Sequence, residues 1–278
     1  MNNITVFAHY DLDSQIKDYV LYYLQQLKTV SHKIIFVSTS TLSIQEQKKL
    51  SGIVDKIIIR KNVGYDFHSY KIGIESIECL NSYDNLILCN DSCFGPLFPL
   101  TDVFAIMDHQ AIDFWGITSS NLIRFHLQSY FLVFNQSILQ STCFMKFWQN
   151  LPLCENRKDI IFNYEITLSQ ILITNGYHAN SYIPLTFKTP LLWLVKRHVD
   201  LLIKKYLYHT TNYSTLGNLL KLRKTEDLDK TIIFWDYLIK TYKMPFLKKN
   251  ILTKNISSLE NVTKQISNIT SYTLNKFI

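Results

Sequence analysis

Three polar stretches in this chain carry residues that could do chemistry. Asn90-Asp91-Ser92 follows the apolar run Leu86-Ile87-Leu88-Cys89 and precedes Gly95-Pro96. A carboxylate at the end of a buried strand can hold Mg or Mn against a diphosphate, and it can equally be a turn aspartate that caps the next segment. Asn62-Val63-Gly64-Tyr65-Asp66 follows Ile57-Ile58-Ile59. Taken alone it is a plain turn between a strand and a helix. Glu165 opens a helix-like stretch over 164–174, and no other acidic residue lies between Asp159 and Asp200. A carboxylate in the first turn of a helix is favoured by the helix dipole, and within reach of a hydroxyl it can also accept a proton.

The elements around these stretches fix where they must lie. Ile57-Ile58-Ile59 is a predicted buried strand, Ile72, Ile74, Ile77 and Leu80 mark a helix, and residues 86–89 a second strand. Strand, helix, strand is a βαβ unit, so the two strands run parallel and both polar turns fall beyond the carboxyl edge of the sheet. Upstream, 4–8 reads as a strand ending at His9-Tyr10-Asp11. A helix then follows from about residue 14, with Tyr19, Val20, Tyr23, Leu24 and Leu27 as its inner face. A strand over 33–37 and a helix over 43–50 complete this half. Downstream the pattern predicts a helix over 102–107, strands over 113–118 and 127–134, and helices over 140–148 and 164–174. Asn175-Gly176 is the stop signal, and 178–183 is extended. This alternation predicts an α/β fold with a mostly parallel sheet flanked by helices. No G-x-G-x-x-G follows the first strand, no Walker lysine motif occurs, and the chain has only 7 glycines. A phosphate here must therefore be held by a metal or by side chains.

The bulk numbers agree with a folded protein: 278 residues, 47% hydrophobic and 18% charged. The five cysteines lack zinc-site spacing and read as reduced thiols. With no signal-like start and no apolar run long enough to span a bilayer, a cytoplasmic placement is expected. Charge divides the chain. Residues 1–189 carry a balance of −2 and residues 190–278 a balance of +9. An amphipathic basic helix is expected over 191–208, with short helices over 231–242 and 246–252. It would lie either packed on the domain or against an anionic membrane at the inner face of the cell membrane. No nucleic-acid-binding module is recognisable, so nucleic acid is not an expected partner.

The segments NVGYDFHSYKIGIE, LILCNDSCFGPLFPL, DFWGIT, HLQSYFLVF, YEITLSQIL and MPFLKKN resemble, in order, the rhamnan synthesis F family of bacterial polysaccharide glycosyltransferases. The layout also resembles, more distantly, the nucleotide-sugar-binding fold called GT-A. The resemblance implies a GT-A-like domain over 1–189 with a basic helical appendage over 190–278. It implies transfer of a sugar, rhamnose by the family's name, from a nucleotide-sugar donor to a glycan or lipid-linked glycan acceptor. Tyr10, Asp11, Asn62, Gly64, Asp66, Asn90 and Asp91 would border the donor, with Asp91 holding a divalent Mn or Mg ion. Glu165 would be the base of an inverting transfer. Asp113, Trp115, His126 and Gln128 would face the acceptor, since aromatic faces stack on sugars and short polar groups read hydroxyls. One departure stands out: Asn-Asp-Ser occupies the place where the wider fold often has Asp-x-Asp. A single carboxylate keeps open the reading of a non-catalytic nucleotide-sugar or glycan-binding module in a synthase complex.

Overall fold

The computed structural model describes residues 2–121, 123–154, 156–184, 230–253 and 257–274. The basic helix expected over 191–208 lies outside the described residues. The first half alternates as β1 (Asn3–His9), α1 (Asp18–Leu27), β2 (Lys33–Ser38), α2 (Ile44–Lys49), β3 (Lys56–Ile59), α3 (Tyr65–Glu75) and β4 (Asn85–Asn90). The short strand β5 (Cys93–Phe94), helix α4 (Leu100–Asp108) and strands β6 (Phe114–Gly116), β7 (Ser119–Ser120), β8 (His126–Leu127) and β9 (Phe131–Asn135) follow. Then come α5 (Gln136–Leu139), α6 (Thr142–Gln149), α7 (Arg157–Ile160), α8 (Thr167–Thr174) and β10 (Ala179–Ser181). The C-terminal part supplies α9 (Lys230–Ile233), α10 (Trp235–Tyr242), β11 (Leu247–Lys248), α11 (Asn250–Thr253) and α12 (Leu259–Ser267).

Among the described residues the main sheet has seven strands in the order β10-β6-β9-β4-β1-β2-β3. Only β9 runs against the rest, pairing antiparallel with both β4 and β6. The mostly parallel α/β sheet is therefore present, and β3 and β4 are parallel members of it separated by β1 and β2. Strand alternation sends side chains to two cores. Phe7, Phe36, Ile87 and Cys89 face the side covered by α1 and α4. Val6, Ala8, Val37, Leu86 and Leu88 face the side covered by α3, α6 and α8. Helix α1 buries Tyr19, Val20, Tyr23, Leu24 and Leu27, the five residues its periodicity marked. Helix α3 lies on β1 through Gly73, where an added Cβ would come within 2.2 Å of Val6. Its buried face is Phe67, Ser69, Tyr70, Gly73 and Ile74, so the aromatics, more than the isoleucines, do the packing.

Three expectations change. The strand expected over 127–134 is two strands, β8 and β9, because residues 128–130 leave the ladder to serve the site described below. The helix expected to begin at Tyr164 starts earlier, at Arg157, and passes through a π-helical stretch (Ile161–Ile166) before α8. The segment read as a helix over 246–252 begins as β11, paired antiparallel with β5. The described C-terminal residues share the α1 core. Trp235, Leu238, Phe246, Leu247, Val262 and Ile266 are all buried in it.

Candidate functional site

Strand β1 has β2 on one side and β4 on the other, and the chain turns outward from it in both directions. The crevice at the carboxyl ends of β1 and β4 is thus a topological switch point, the place where open α/β sheets bind ligands. The two loops meet across it. The Tyr10 N–H donates to Asp91 Oδ2 at 3.4 Å. Tyr10 itself is exposed. Asp11 shapes the loop, its Oδ1 accepting from the N–H groups of Asp13 and Gln15, each at 3.0 Å. His9, at the end of β1, is buried and shares a hydrogen bond of 3.0 Å with Ser38 Oγ. Burial holds its imidazole below the usual range, against the pull of Asp91 and Asp11.

On the α3 side of the edge, Asn90 Nδ2 donates to Asp66 Oδ2 at 2.8 Å. The α3 start is built by Gly64, with φ +72°, and by Arg60, which ties down the turn. The Arg60 guanidinium donates to the carbonyls of Lys61, Val63 and Tyr65 at 2.9, 2.6 and 2.6 Å. Asn62 stands exposed in that turn. Burial pushes the Asp66 carboxyl up to about 7, with the Asp91 charge adding to it, while the Asn90 hydrogen bond and Arg60 oppose.

The folded protein therefore holds the Asp66 proton more tightly than the unfolded chain does. The stability tied to that proton is fullest below the ordinary carboxylate pKa of 3.8 and is lost as pH rises through about 7. Asp66→Asn keeps an acceptor for Asn90 and removes the titration. It is expected to flatten that decline and to be more stable than wild type at alkaline pH by on the order of 2–4 kcal/mol. Urea unfolding on either side of neutrality checks this.

Glu165 lies in the π-helical stretch, not at a helix start. Such a stretch inserts an extra residue into the turn and re-aims the side chains around it, often at functional sites. Tyr164 is fully buried, and its hydroxyl accepts from the Cys154 N–H at 2.9 Å, which fixes the stretch from the core side. Glu165 Oε1 accepts from the Ser129 N–H at 3.2 Å and also from the Ser129 hydroxyl. Its Oε2 faces His126 Nε2 at 3.9 Å. His126 is buried, and its Nδ1 lies 2.9 Å from the Arg124 carbonyl. A carbonyl only accepts, so Nδ1 carries a proton. Gln128 Oε1 accepts from the Thr118 hydroxyl at 2.6 Å.

A residue absent from the sequence reading completes the crevice. Lys249, following β11, places Nζ 3.8 Å from Asp91 Oδ2 and donates to the Tyr19 hydroxyl at 2.7 Å. Burial raises the Asp91 pKa, and Lys249, His9 and the Tyr10 N–H counter it. Its only sequence signal was the MPFLKKN segment. A divalent ion takes about six oxygen ligands, from protein carboxylates, water and substrate phosphates together. Among the described residues no group of three or more His, Cys, Asp or Glu side chains could hold a metal ion. The one carboxylate expected to do so already faces an ammonium. The described residues do not by themselves form a site that would hold Mn or Mg.

Two acceptor-side candidates stand apart from this group. Asp113 precedes β6 at the opposite, amino edge of the sheet, level with Asn135 and Asn85. There it accepts from the His178 N–H at 2.8 Å and from Asn135 Nδ2 at 3.3 Å, a structural task. Trp115 is 5% exposed and packs edge-on against Phe104, so it has no face to offer a sugar. Sequence alone could not separate these from His126 and Gln128, because strand direction decides which end of β6 meets the site.

Several known proteins are similar to this chain. It is 23% identical over 275 residues to the virulence protein VirA of Vibrio anguillarum, covering 96% of this chain and 84% of that protein. It is 28% identical over 163 residues to the uncharacterized protein y4gN of Sinorhizobium fredii, covering 57% of this chain and 43% of that protein, less than half its length. Among solved structures, S. aureus TarS 1–349 superimposes with a TM-score of 0.43 at 10% identity, covering 98% of this chain and 81% of that one. A cytidylyltransferase from Leptospira borgpetersenii gives 0.39 at 13% identity, covering 81% and 94%. Residues 34–189, more than half of the chain and including the Asp66, Asp91 and Glu165 stretches, match the family described as rhamnan synthesis protein F. The chain belongs to the rhamnan synthesis protein F family.

Proposed function

We propose that this protein transfers a sugar from a nucleotide-sugar donor to a glycan acceptor of a cell-surface polysaccharide, with inversion. The observation that carries this reading is the convergence of Asp66, Asn90, Asp91, His126 and Glu165 on the carboxyl edge of one sheet, around its switch point. The donor's diphosphate lies in the crevice between β1 and β4, where Tyr10 and Asp11 border the nucleoside. Asp66 and Asn90 accept and donate hydrogen bonds at the sugar hydroxyls. Glu165 Oε2, held through its sister oxygen by Ser129, takes the proton of the acceptor hydroxyl. The acceptor hydroxyl oxygen, as it loses that proton to Glu165, forms the new bond to C1 from the face opposite the diphosphate. The C1–O bond to the diphosphate breaks, and its electron pair leaves with the nucleoside diphosphate. Membrane contact through the basic C-terminal part would bring the enzyme to a lipid-linked acceptor.

The test is a panel of dTDP-, UDP- and GDP-sugars, followed by release of nucleoside diphosphate with and without added glycan. Consumption of one donor class, accelerated by acceptor, is the expected result. Binding of a donor with no turnover in any acceptor mixture would return the protein to the non-catalytic binding module.

A further inference from the structure

The crevice already contains a cation, and it is part of the chain. Lys249 Nζ sits 3.8 Å from Asp91 Oδ2 and 4.9 Å from the centroid of the Tyr19 ring. Its side chain is 30% exposed and that of Asp91 is 11% exposed, so the pair is partly shielded, not washed by solvent on all sides. An ammonium has three N–H donors. Among the described residues Nζ makes one hydrogen bond, to Tyr19. One side of the ammonium faces Asp91, and donor capacity not used in a hydrogen bond among the described residues is left for a ligand.

The position of this lysine is over-determined. Leu247 pairs with Phe94 and Lys248 with Cys93 in the β11–β5 ladder. The Lys249 N–H then donates to the Ser92 carbonyl at 3.0 Å. A one-residue slip of register would turn the side chain to the other face. Phe246 anchors the ladder from the preceding side, packed against Tyr23 and Phe131 with ring centroids 5.0 and 5.5 Å away. An exposed surface ion pair would not need such support, since it contributes little to stability. The segment instead delivers a fixed positive charge to the loop that follows β4.

We propose that Lys249 is the cation that binds the donor's diphosphate, standing where a divalent metal would otherwise be, and that Asp91 positions it. This rests on the nucleotide-sugar reading above. A lysine ammonium acts as a point charge on phosphate oxygens without demanding a cage of carboxylates. The single carboxylate of Asn-Asp-Ser is enough to hold a lysine in this position. As the C1–O bond breaks, the departing diphosphate gains negative charge, and the ammonium is already in place to meet it.

The experiment titrates UDP and dTDP into the full chain by calorimetry, in EDTA and in Mn, with Lys249→Met, Lys249→Arg, Asp91→Asn and the distant exposed Lys33→Met. Wild type and Lys33→Met are expected to bind one of the diphosphates equally well in EDTA and Mn. Lys249→Met should weaken that binding about tenfold to a hundredfold, the range of a charge-assisted contact. Lys249→Arg should restore most of it. Asp91→Asn should weaken binding severalfold, and equally in EDTA and in Mn, because the ammonium loses the carboxylate that positions it. A metal ligand at Asp91 would not give that last result. Thermal melts of each variant separate misfolding from lost affinity, and if Lys249→Met does not fold, the Asp91→Asn and Lys249→Arg titrations decide alone. Binding that requires Mn, is lost in Asp91→Asn and is unchanged in Lys249→Met would overturn the proposal and restore the metal. Failure of wild type to bind either diphosphate in both buffers would instead overturn the nucleotide-sugar reading itself.

Discussion

A Glu165→Gln enzyme is expected to bind the nucleotide-sugar as wild type does and to transfer it about 10²–10⁴-fold more slowly. The substitution keeps the side chain's length and an oxygen for the two Ser129 donors, so the π-helical stretch and the loop it holds remain in place. What is lost is the ability of the second oxygen to accept a proton. Oε2 is suited to that task because Ser129 engages only its sister atom and His126 stands 3.9 Å away, beyond hydrogen-bond range. The measurement is single-turnover transfer at saturating donor, alongside donor affinity. A variant that transfers near the wild-type rate removes Glu165 from the chemistry. A product with retained anomeric configuration rejects the single displacement, whatever the variant does.

The largest effect on stability is expected from Phe246→Ala, at about 3–5 kcal/mol, the usual cost of deleting a buried aromatic ring. Phe246 is 1% exposed and touches Tyr23 of α1, Tyr130 and Phe131 of the β9 region. The Pro245 carbonyl beside it accepts from the Leu97 N–H at 2.7 Å. The ring therefore ties a C-terminal segment to α1 and to the β9 region. Urea denaturation of the full chain measures the loss. A cost below about 1 kcal/mol, typical of a surface site, would show that this segment only rests on the sheet.

The parts of the fold that could be read from sequence are those fixed by local pattern. Strands β1, β2 and β4 are nearly continuous apolar runs because both faces of a parallel sheet are covered, and α1 shows a clean helical stripe. The turns holding Asp66 and Asp91 could be placed on one edge because chain direction in a βαβ unit is fixed by handedness and crossover length. What could not be read depends on contacts between distant segments. Trp115 and His126 are both aromatic, polar-edged residues near strand ends, and only packing makes one a core filler and the other a neighbour of Glu165. Arg60 looks like a solvated charge at the end of β3, yet it is wrapped in turn carbonyls. The π-helical stretch has no sequence signature. Lys249 lay in a region whose net charge of +9 invited a reading as surface attraction, and nothing local distinguished it from its neighbours.

The late arrival of Lys249 has a consequence for the protein's manufacture. On the ribosome every strand of the main sheet is synthesised before Met244 appears, so the sheet can close while the crevice holds Asp11, Asp66 and Asp91 without their lysine. In that interval Asp91 has no ammonium beside it. The Lys249 ammonium reaches Asp91 only when the segment carrying it pairs beside β5, so this charge pair joins residues 158 positions apart in the chain.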